Sequence, residues 1–249
     1  MITNRPRSAL ADAPLVEVAE LGHVYQDAGT TITALRHVEL QLRPGERMAI
    51  MGRTGSGKTT LLGILGGLET PTSGRVTVAG HDLSQLTRKE REAYRRRVVG
   101  YVWQDAERGL LPALSVLQNV LLPMLAEPGS QHQRLAFAAQ LLEALRLRQL
   151  AGSRLDELTA AETQRLAIAV ALANRPLLLL ADELTAVLDW PAGGELMGDL
   201  VTLLQSTATA AIVVSHDRRV QRYVDQVVVI RDGVSGPAAE AASPVPARG

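Results

Sequence analysis

Three short runs of strand character precede residue 53: LVEVAEL (15–21), ITALRHVELQL (32–42) and ERMAIMG (46–52), with turn signals at Asp27–Gly29 and Pro44-Gly45 between them. Four later runs, VVGYVWQ (98–104), LLLLA (177–181), AIVVSH (211–216) and QVVVI (226–230), are dense enough in aliphatic and β-branched residues to be buried strands. Helical periodicity separates them over Gln131–Leu147, Ala160–Ala173 and Glu195–Gln205. Strands joined by helical crossovers predict an α/β fold with a largely parallel, buried sheet. Residues 105–160 hold helices and no convincing strand, so they read as a helical insertion. The Ala-, Pro-, Ser- and Gly-rich ends, residues 1–14 and 236–249, read as mobile.

Composition narrows the chemistry by exclusion. The chain of 249 residues has 26 Lys+Arg, 26 Asp+Glu and no cysteine. Zero net charge removes any global electrostatic case for a nucleic-acid binder. The basic stretch TRKEREAYRRRV (87–98) carries interspersed acids at helical rhythm and reads as a solvated helix face rather than a nucleic-acid contact. Without cysteine there is no disulfide framework, no thiolate metal site and no Cys nucleophile. The N-terminus lacks the apolar core of a signal peptide. No run approaches the roughly 18 apolar residues of a membrane span; LLPALSVLQNVLLPML (110–125) is broken by Pro112, Gln118, Asn119 and Pro123.

The most specific local signal follows the third strand. Gly52, Gly55, Gly57, Lys58 and Thr59 match G-x-x-x-x-G-K-[ST] and lead into the helical run TTLLGILGGL. In such a loop the glycines let backbone N–H groups curl around phosphate oxygens, aided by the dipole of the following helix. The candidate nucleotide contacts are therefore Gly52, Arg53, Thr54, Gly55, Ser56, Gly57, Lys58, Thr59 and Thr60. Lys58 is expected at the β- and γ-phosphates and the Thr59 hydroxyl at Mg²⁺.

Other strands end in polar groups. LLLLADE places Asp182 and Glu183 at the end of an apolar run, where an unpaired carboxylate is costly unless it serves a cation or a reaction. Asp182 is a candidate Mg²⁺ ligand, and Glu183 a candidate base for the water that attacks the γ-phosphate. His216 ends AIVVSH and Gln104 ends VVGYVWQ. Alone, a histidine there is more often structural and a glutamine uninformative; together they mark one sheet edge, where open α/β sheets bind ligands. Tyr25 is either an adenine-stacking aromatic or a half-buried one.

Taken in order, these motifs resemble the nucleotide-binding subunit of an ATP-binding cassette (ABC) transporter. GRTGSGKT looks like its Walker A, YVWQ its Q-loop, LTAAETQR its signature, LLLLADE its Walker B, AVLD its D-loop and VVSHD its H-switch. The likeness spans about residues 15–235 and is nearest the lipoprotein-releasing and macrolide-exporter branch, through LLGILGGLETPTSGRVTVAG and NVLLPML. It implies a P-loop NTPase (RecA-like) core with an antiparallel β subdomain and a helical subdomain at about 105–160, binding ATP and Mg²⁺. By the same likeness Tyr25 stacks on adenine, Gln104 joins Thr59 and Asp182 at the metal and water region, Glu183 is the catalytic carboxylate and His216 contacts the γ-phosphate. Two such subunits close head to tail around two ATP molecules, and an integral-membrane permease is the further partner. That places the chain in the cytoplasm, peripheral on the inner face of the membrane. A soluble cassette ATPase acting on nucleic acid or ribosomes is the rival, but its usual second cassette or long coiled-coil insertion does not fit in this length. A P-loop kinase would leave the signature and the histidine unexplained.

The signature departs from the family pattern LSGGQ or LSGGE. It reads Leu158, Thr159, Ala160, Ala161, Glu162, with Thr159 and Glu162 spaced as a capping box. If the two alanines were held at positive φ, each would be strained by about 1 kcal/mol or more. Leu184, where the family has proline, and Ala186-Val187 in the D-loop are lesser departures. An intact set of Lys58, Asp182, Glu183 and His216 beside an altered signature predicts pairing with a different ATPase subunit whose own signature keeps its glycines. A homodimer that tolerates alanine is the alternative.

Overall fold

The computed structural model describes residues 13–27 and 30–237; of the ends expected to be mobile, 1–14 and 236–249, residues 1–12 and 238–249 lie outside the described residues, as do the turn residues 28 and 29. The strands are β1 (Val16–Asp27), β2 (Thr30–Leu42), β3 (Arg47–Met51), β4 (Ser73–Val78), β5 (His81–Asp82), β6 (Val99–Val102), β7 (Leu178–Asp182), β8 (Ala210–Ser215), β9 (Gln226–Arg231) and β10 (Val234–Pro237). The α-helices are α1 (Lys58–Leu65), α2 (Arg88–Arg97), α3 (Val116–Met124), α4 (Gln131–Ala144), α5 (Ala160–Leu172) and α6 (Ala192–Thr207). Strand order is β5-β4-β1-β2-β10-β9-β3-β8-β7-β6. The β6-β7-β8-β3-β9 portion is parallel, whereas β5, β4, β1 and β2 pair antiparallel. This is the expected core with an antiparallel β subdomain, and α3 and α4 occupy the expected helical insertion.

The continuous apolar runs are explained by two cores, one on each face. Met48 and Ile50 of β3, Leu178 and Leu180 of β7, and Ile212 and Val214 of β8 enter one cluster, together with α1 and the antiparallel strands. The alternate residues Ala49, Met51, Leu179, Ala181, Ala211 and Val213 enter a second cluster with α3, α4, α5 and α6. A strand period of two with both faces covered erases the polar half of the alternation.

Two expectations need correction. Ser235–Pro237 extend β10, paired antiparallel with β9, so residues 236 and 237 belong to the sheet and not to a mobile tail. Gln104 lies two residues beyond β6 rather than on it. The solvated helix read at 87–98 is α2, opened by a capping box between Thr87 and Glu90 and anchored by the buried Tyr94, whose hydroxyl donates to the Leu65 carbonyl at 2.6 Å.

Candidate nucleotide site

Register across the parallel strands assembles the site. Met51 pairs with Ser215, and Asp182 with Val214, so the chain leaves β3, β8 and β7 at one level. Gly52, His216 and Glu183 are the next residues in each case. The loop after β3 then reverses through two left-handed glycines, Gly55 (φ 78) and Gly57 (φ 105). At Gly57 a Cβ would stand 2.6 Å from the Ala34 carbonyl oxygen, and at Gly52 it would stand 2.4 Å from the Ile230 carbonyl oxygen. Neither position has room for a side chain, and this close approach of backbone to backbone shapes the cradle. Lys58 is buried and curls back over it, its Nζ donating to the carbonyls of Gly52 and Arg53 at 2.9 Å each. Arg53, Thr54 and Gly55 are exposed at the rim, while Ser56 is buried with its Oγ unpartnered among the described residues.

Thr59 Oγ1 donates to Asp182 Oδ2 at 3.2 Å. A hydroxyl and a carboxylate converging beside a phosphate cradle are the hard oxygen donors that suit Mg²⁺. Burial pushes the Asp182 carboxyl above its ordinary range; the Thr59 bond opposes that, the Glu183 charge adds to it and the Lys58 ammonium opposes it. Glu183 itself is left-handed (φ 51), a strained setting for a residue with a side chain. It is held there by its N–H bond to the Val214 carbonyl at 2.9 Å. Its Oε2 accepts from His216 Nδ1 at 2.9 Å, joining a side chain only 12% exposed to one that is 69% exposed. His216 thus engages the expected catalytic carboxylate directly.

The remaining candidates are distributed around this cluster. Tyr25, on β1, lies beside the loop, its hydroxyl 3.2 Å from Thr60 Oγ1 and donating to Glu69 Oε2 at 2.7 Å. Burial and the Glu69 carboxylate raise its phenol pKa, against the Thr60 hydrogen bond. Gln104 is exposed and makes no hydrogen bond to Thr59 or Asp182. Thr159, Ala160, Ala161 and Glu162 open α5 on the helical layer, and no hydrogen bond joins them to residues 52–60. Thr159 Oγ1 accepts from the Glu162 N–H at 3.3 Å, and Glu162 Oε2 from the Thr159 N–H at 2.8 Å, completing the predicted box.

The backbone at the alanines corrects the sequence reading. Ala160 and Ala161 are the first helical residues of α5, and neither is among the positive-φ positions. The strain assigned to them is absent, because a helix that starts after its Thr159 cap is right-handed from its first residue. What distinguishes them from glycine is a methyl group each.

Sequence reasoning missed Glu69, His23 and Thr72, which gather behind Tyr25, and the stacking of Arg219 on the Trp190 ring at 4.5 Å. Arg219 also pairs with Asp217 at 2.6 Å, tying the D-loop side to the residue after His216. Nothing periodic marks these residues in the sequence.

A glycine cradle between a parallel strand and a helix, faced by a hydroxyl–carboxylate pair, defines a P-loop nucleoside triphosphatase. Residues 35–186 match the ABC transporter domain family, and the chain belongs to that family. It is 39% identical over 221 residues to the lipoprotein-releasing system ATP-binding protein LolD of Novosphingobium aromaticivorans, covering 89% of this chain and 98% of that protein. Among solved structures it is similar to the dimeric, post-hydrolysis ATP-binding cassette MJ0796 bound to ADP and Pi, with TM-score 0.80, 33% identity and coverage of 89% and 98%. It is also similar to cbiO1 from Clostridium perfringens, part of the ABC transporter complex cbiONQ, with TM-score 0.83, 28% identity and coverage of 92% and 90%. The chain is accordingly an ATP-binding subunit whose activity is ATP hydrolysis coupled to transport.

Proposed function

We propose that this chain binds Mg-ATP in the Gly52–Thr60 loop and hydrolyses it with Glu183 as general base, driving a separate integral-membrane permease from the cytoplasmic face of the membrane. The observation that carries the site assignment is the shared level of three strand ends, which sets Lys58, Thr59, Asp182, Glu183 and His216 around one cradle. Lys58 would exchange its two carbonyl partners for phosphate oxygens, and Thr59 with Asp182 would hold the metal. Mg²⁺ held there would supply positive charge against the phosphate oxygens. Glu183 would take the proton of the attacking water, and the His216 Nδ1–H, now on Glu183, orients that carboxylate. Gln104, exposed beside the helical layer, is assigned to sensing the metal and water region rather than to fixed ligation. Leu111, Leu122 and Leu125 are exposed on the same layer and supply an apolar surface for the permease. Purification of the tagged chain from membranes, with every accompanying protein identified, tests this; a preparation without a multi-span partner and without affinity for Mg-ATP would refute it.

A second cassette is required to bring a signature to this loop, since the chain's own Thr159–Glu162 does not reach it. We propose a different ATPase subunit in that role, supported by a complete Walker set beside a signature with two added methyl groups. The right-handed backbone at Ala160 and Ala161 favours the competing reading, a second copy of this chain. ATP-dependent homodimers of the purified chain hydrolysing at rates ordinary for the family would exclude the different subunit.

A further inference from the structure

A second set of polar groups lies beside the loop, and the hydrolysis chemistry leaves it unused. Glu69 follows α1 in a turn that pins its backbone: its N–H donates to the Gly63 carbonyl at 3.3 Å, and its own carbonyl accepts from Arg91 at 3.1 Å. Its carboxyl covers Gly63, where a Cβ would stand 3.2 Å from Oε1. With the backbone fixed, Oε2 points at β1, accepts from the Tyr25 hydroxyl at 2.7 Å and lies 3.2 Å from His23 Nε2. His23 is buried, its Nδ1 is 3.3 Å from Thr72 Oγ1, and its ring meets that of Tyr25 edge-on, with centroids 4.7 Å apart and planes at 84°. Thr72 is in turn held by the Val24 N–H at 3.2 Å.

We propose that Glu69, backed by His23, is a positioning residue that holds the Tyr25 ring in the orientation from which it stacks on the base of ATP. This rests on the reading of Tyr25 as the adenine contact. An exposed tyrosine on a strand samples several staggered rotamers, and a bond from its hydroxyl to a carboxylate selects one. The phenol oxygen also lies near Thr60 Oγ1, but Thr60 belongs to the phosphate loop, where an arriving triphosphate competes for that hydroxyl. The Glu69 contact lies outside that competition, so it is the one that persists when nucleotide binds.

The test is calorimetric titration of the full chain and its variants with two Mg²⁺-loaded probes, a non-hydrolysable ATP analogue and inorganic triphosphate, which has no base. Glu69→Ala is expected to weaken the ATP analogue by roughly three- to tenfold and to leave triphosphate unchanged. Glu69→Gln, which still accepts from the phenol, should restore most of the affinity. Tyr25→Phe should lose a similar factor, and the double variant with Glu69→Ala no more than either alone. Equal weakening of both probes by Glu69→Ala would overturn the inference, as would a loss in Tyr25→Ala with none in Glu69→Ala; the latter would leave the adenine contact standing. No loss of the ATP analogue in Tyr25→Ala would remove the adenine contact and the inference with it. Should Glu69→Ala not fold, Tyr25→Phe cuts the same bond from its exposed side and carries the test.

Discussion

Replacing Gly57 by alanine adds one methyl group at a left-handed, closely packed point of the phosphate loop. The backbone there has φ 105 and ψ 3, and the new Cβ would stand 2.6 Å from both the Ala34 carbonyl oxygen and Leu35 Cδ2. Gly55 is a matched control: it is also left-handed, at φ 78, but a Cβ there meets nothing within 4 Å. Gly55→Ala therefore carries the backbone term alone, roughly 1–2 kcal/mol. Gly57→Ala adds overpacking of about 1–3 kcal/mol against a strand carbonyl that cannot rotate away, for roughly 2–5 kcal/mol in all. In a domain of this size 1 kcal/mol moves Tm by about 2–4 °C, so nucleotide-free protein should melt about 2–8 °C lower for Gly55→Ala and about 4–20 °C lower for Gly57→Ala. Scanning calorimetry with and without Mg-ATP checks both the order of the variants and the loss of ligand stabilisation. A Gly57→Ala protein that melts at or above Gly55→Ala would refute the cradle geometry.

Glu183→Gln should keep ATP binding while phosphate release falls by about 10²–10⁴; substantial residual turnover would discredit Glu183 as the base. Because the folded Asp182 pKa is raised, its contribution to stability is present below the unfolded value and lost as pH rises through the folded one, leaving the charged carboxylate unfavourable in the apo protein at neutral pH. Asp182→Asn should thus raise the apo Tm at pH 7, by an amount that shrinks as pH falls towards about 4, while abolishing the Mg²⁺-dependent part of ATP stabilisation; an unchanged apo Tm would contradict this. Thr159→Ala removes the α5 cap at a cost of about 0.5–2 kcal/mol in chemical denaturation. Glu162→Ala acts on the same pair, so the double variant should lose less than the sum, and strict additivity would deny the box.

How much was legible in the sequence follows from how local each determinant is. β3, β7 and β8 stood out because burial on both faces makes them uniformly apolar, and the loop after β3 stood out because its glycines are required by contacts within a few ångströms. β4, whose first three residues are exposed, depends on pairing with β1, and the two-residue β5 on pairing with β4, rather than on their own pattern. Glu69 was invisible for the same reason: its meaning comes from Tyr25, 44 positions away. The strain was misplaced. Expected at Ala160 and Ala161, positive φ occurs within the site at Glu183, just past β7, where the N–H bond to the Val214 carbonyl ties the residue to β8 while the chain turns away. The capping box already argued against strained alanines, since residues after an N-cap are helical.

That same box bears on what the altered signature can still do. A helix leaves its first N–H groups without intrahelical acceptors. In α5 the Glu162 N–H is taken by Thr159 Oγ1 and the Thr163 N–H by the Thr159 carbonyl. The N–H groups of Ala160 and Ala161 are the two left over, with no acceptor among the described residues, and Ala160 is exposed. They sit at the positive end of a 13-residue helix, the arrangement that favours an anion. Methyl groups on the adjacent Cα atoms neither remove these donors nor turn them, because the backbone is already right-handed. The substitutions would therefore act through steric distance alone, on the approach of any anion to these N–H groups. Under the pairing proposed above, their effect would fall on hydrolysis at the loop facing this signature, in a different subunit or in a second copy of this chain, while this chain's own loop would depend on the signature brought to it.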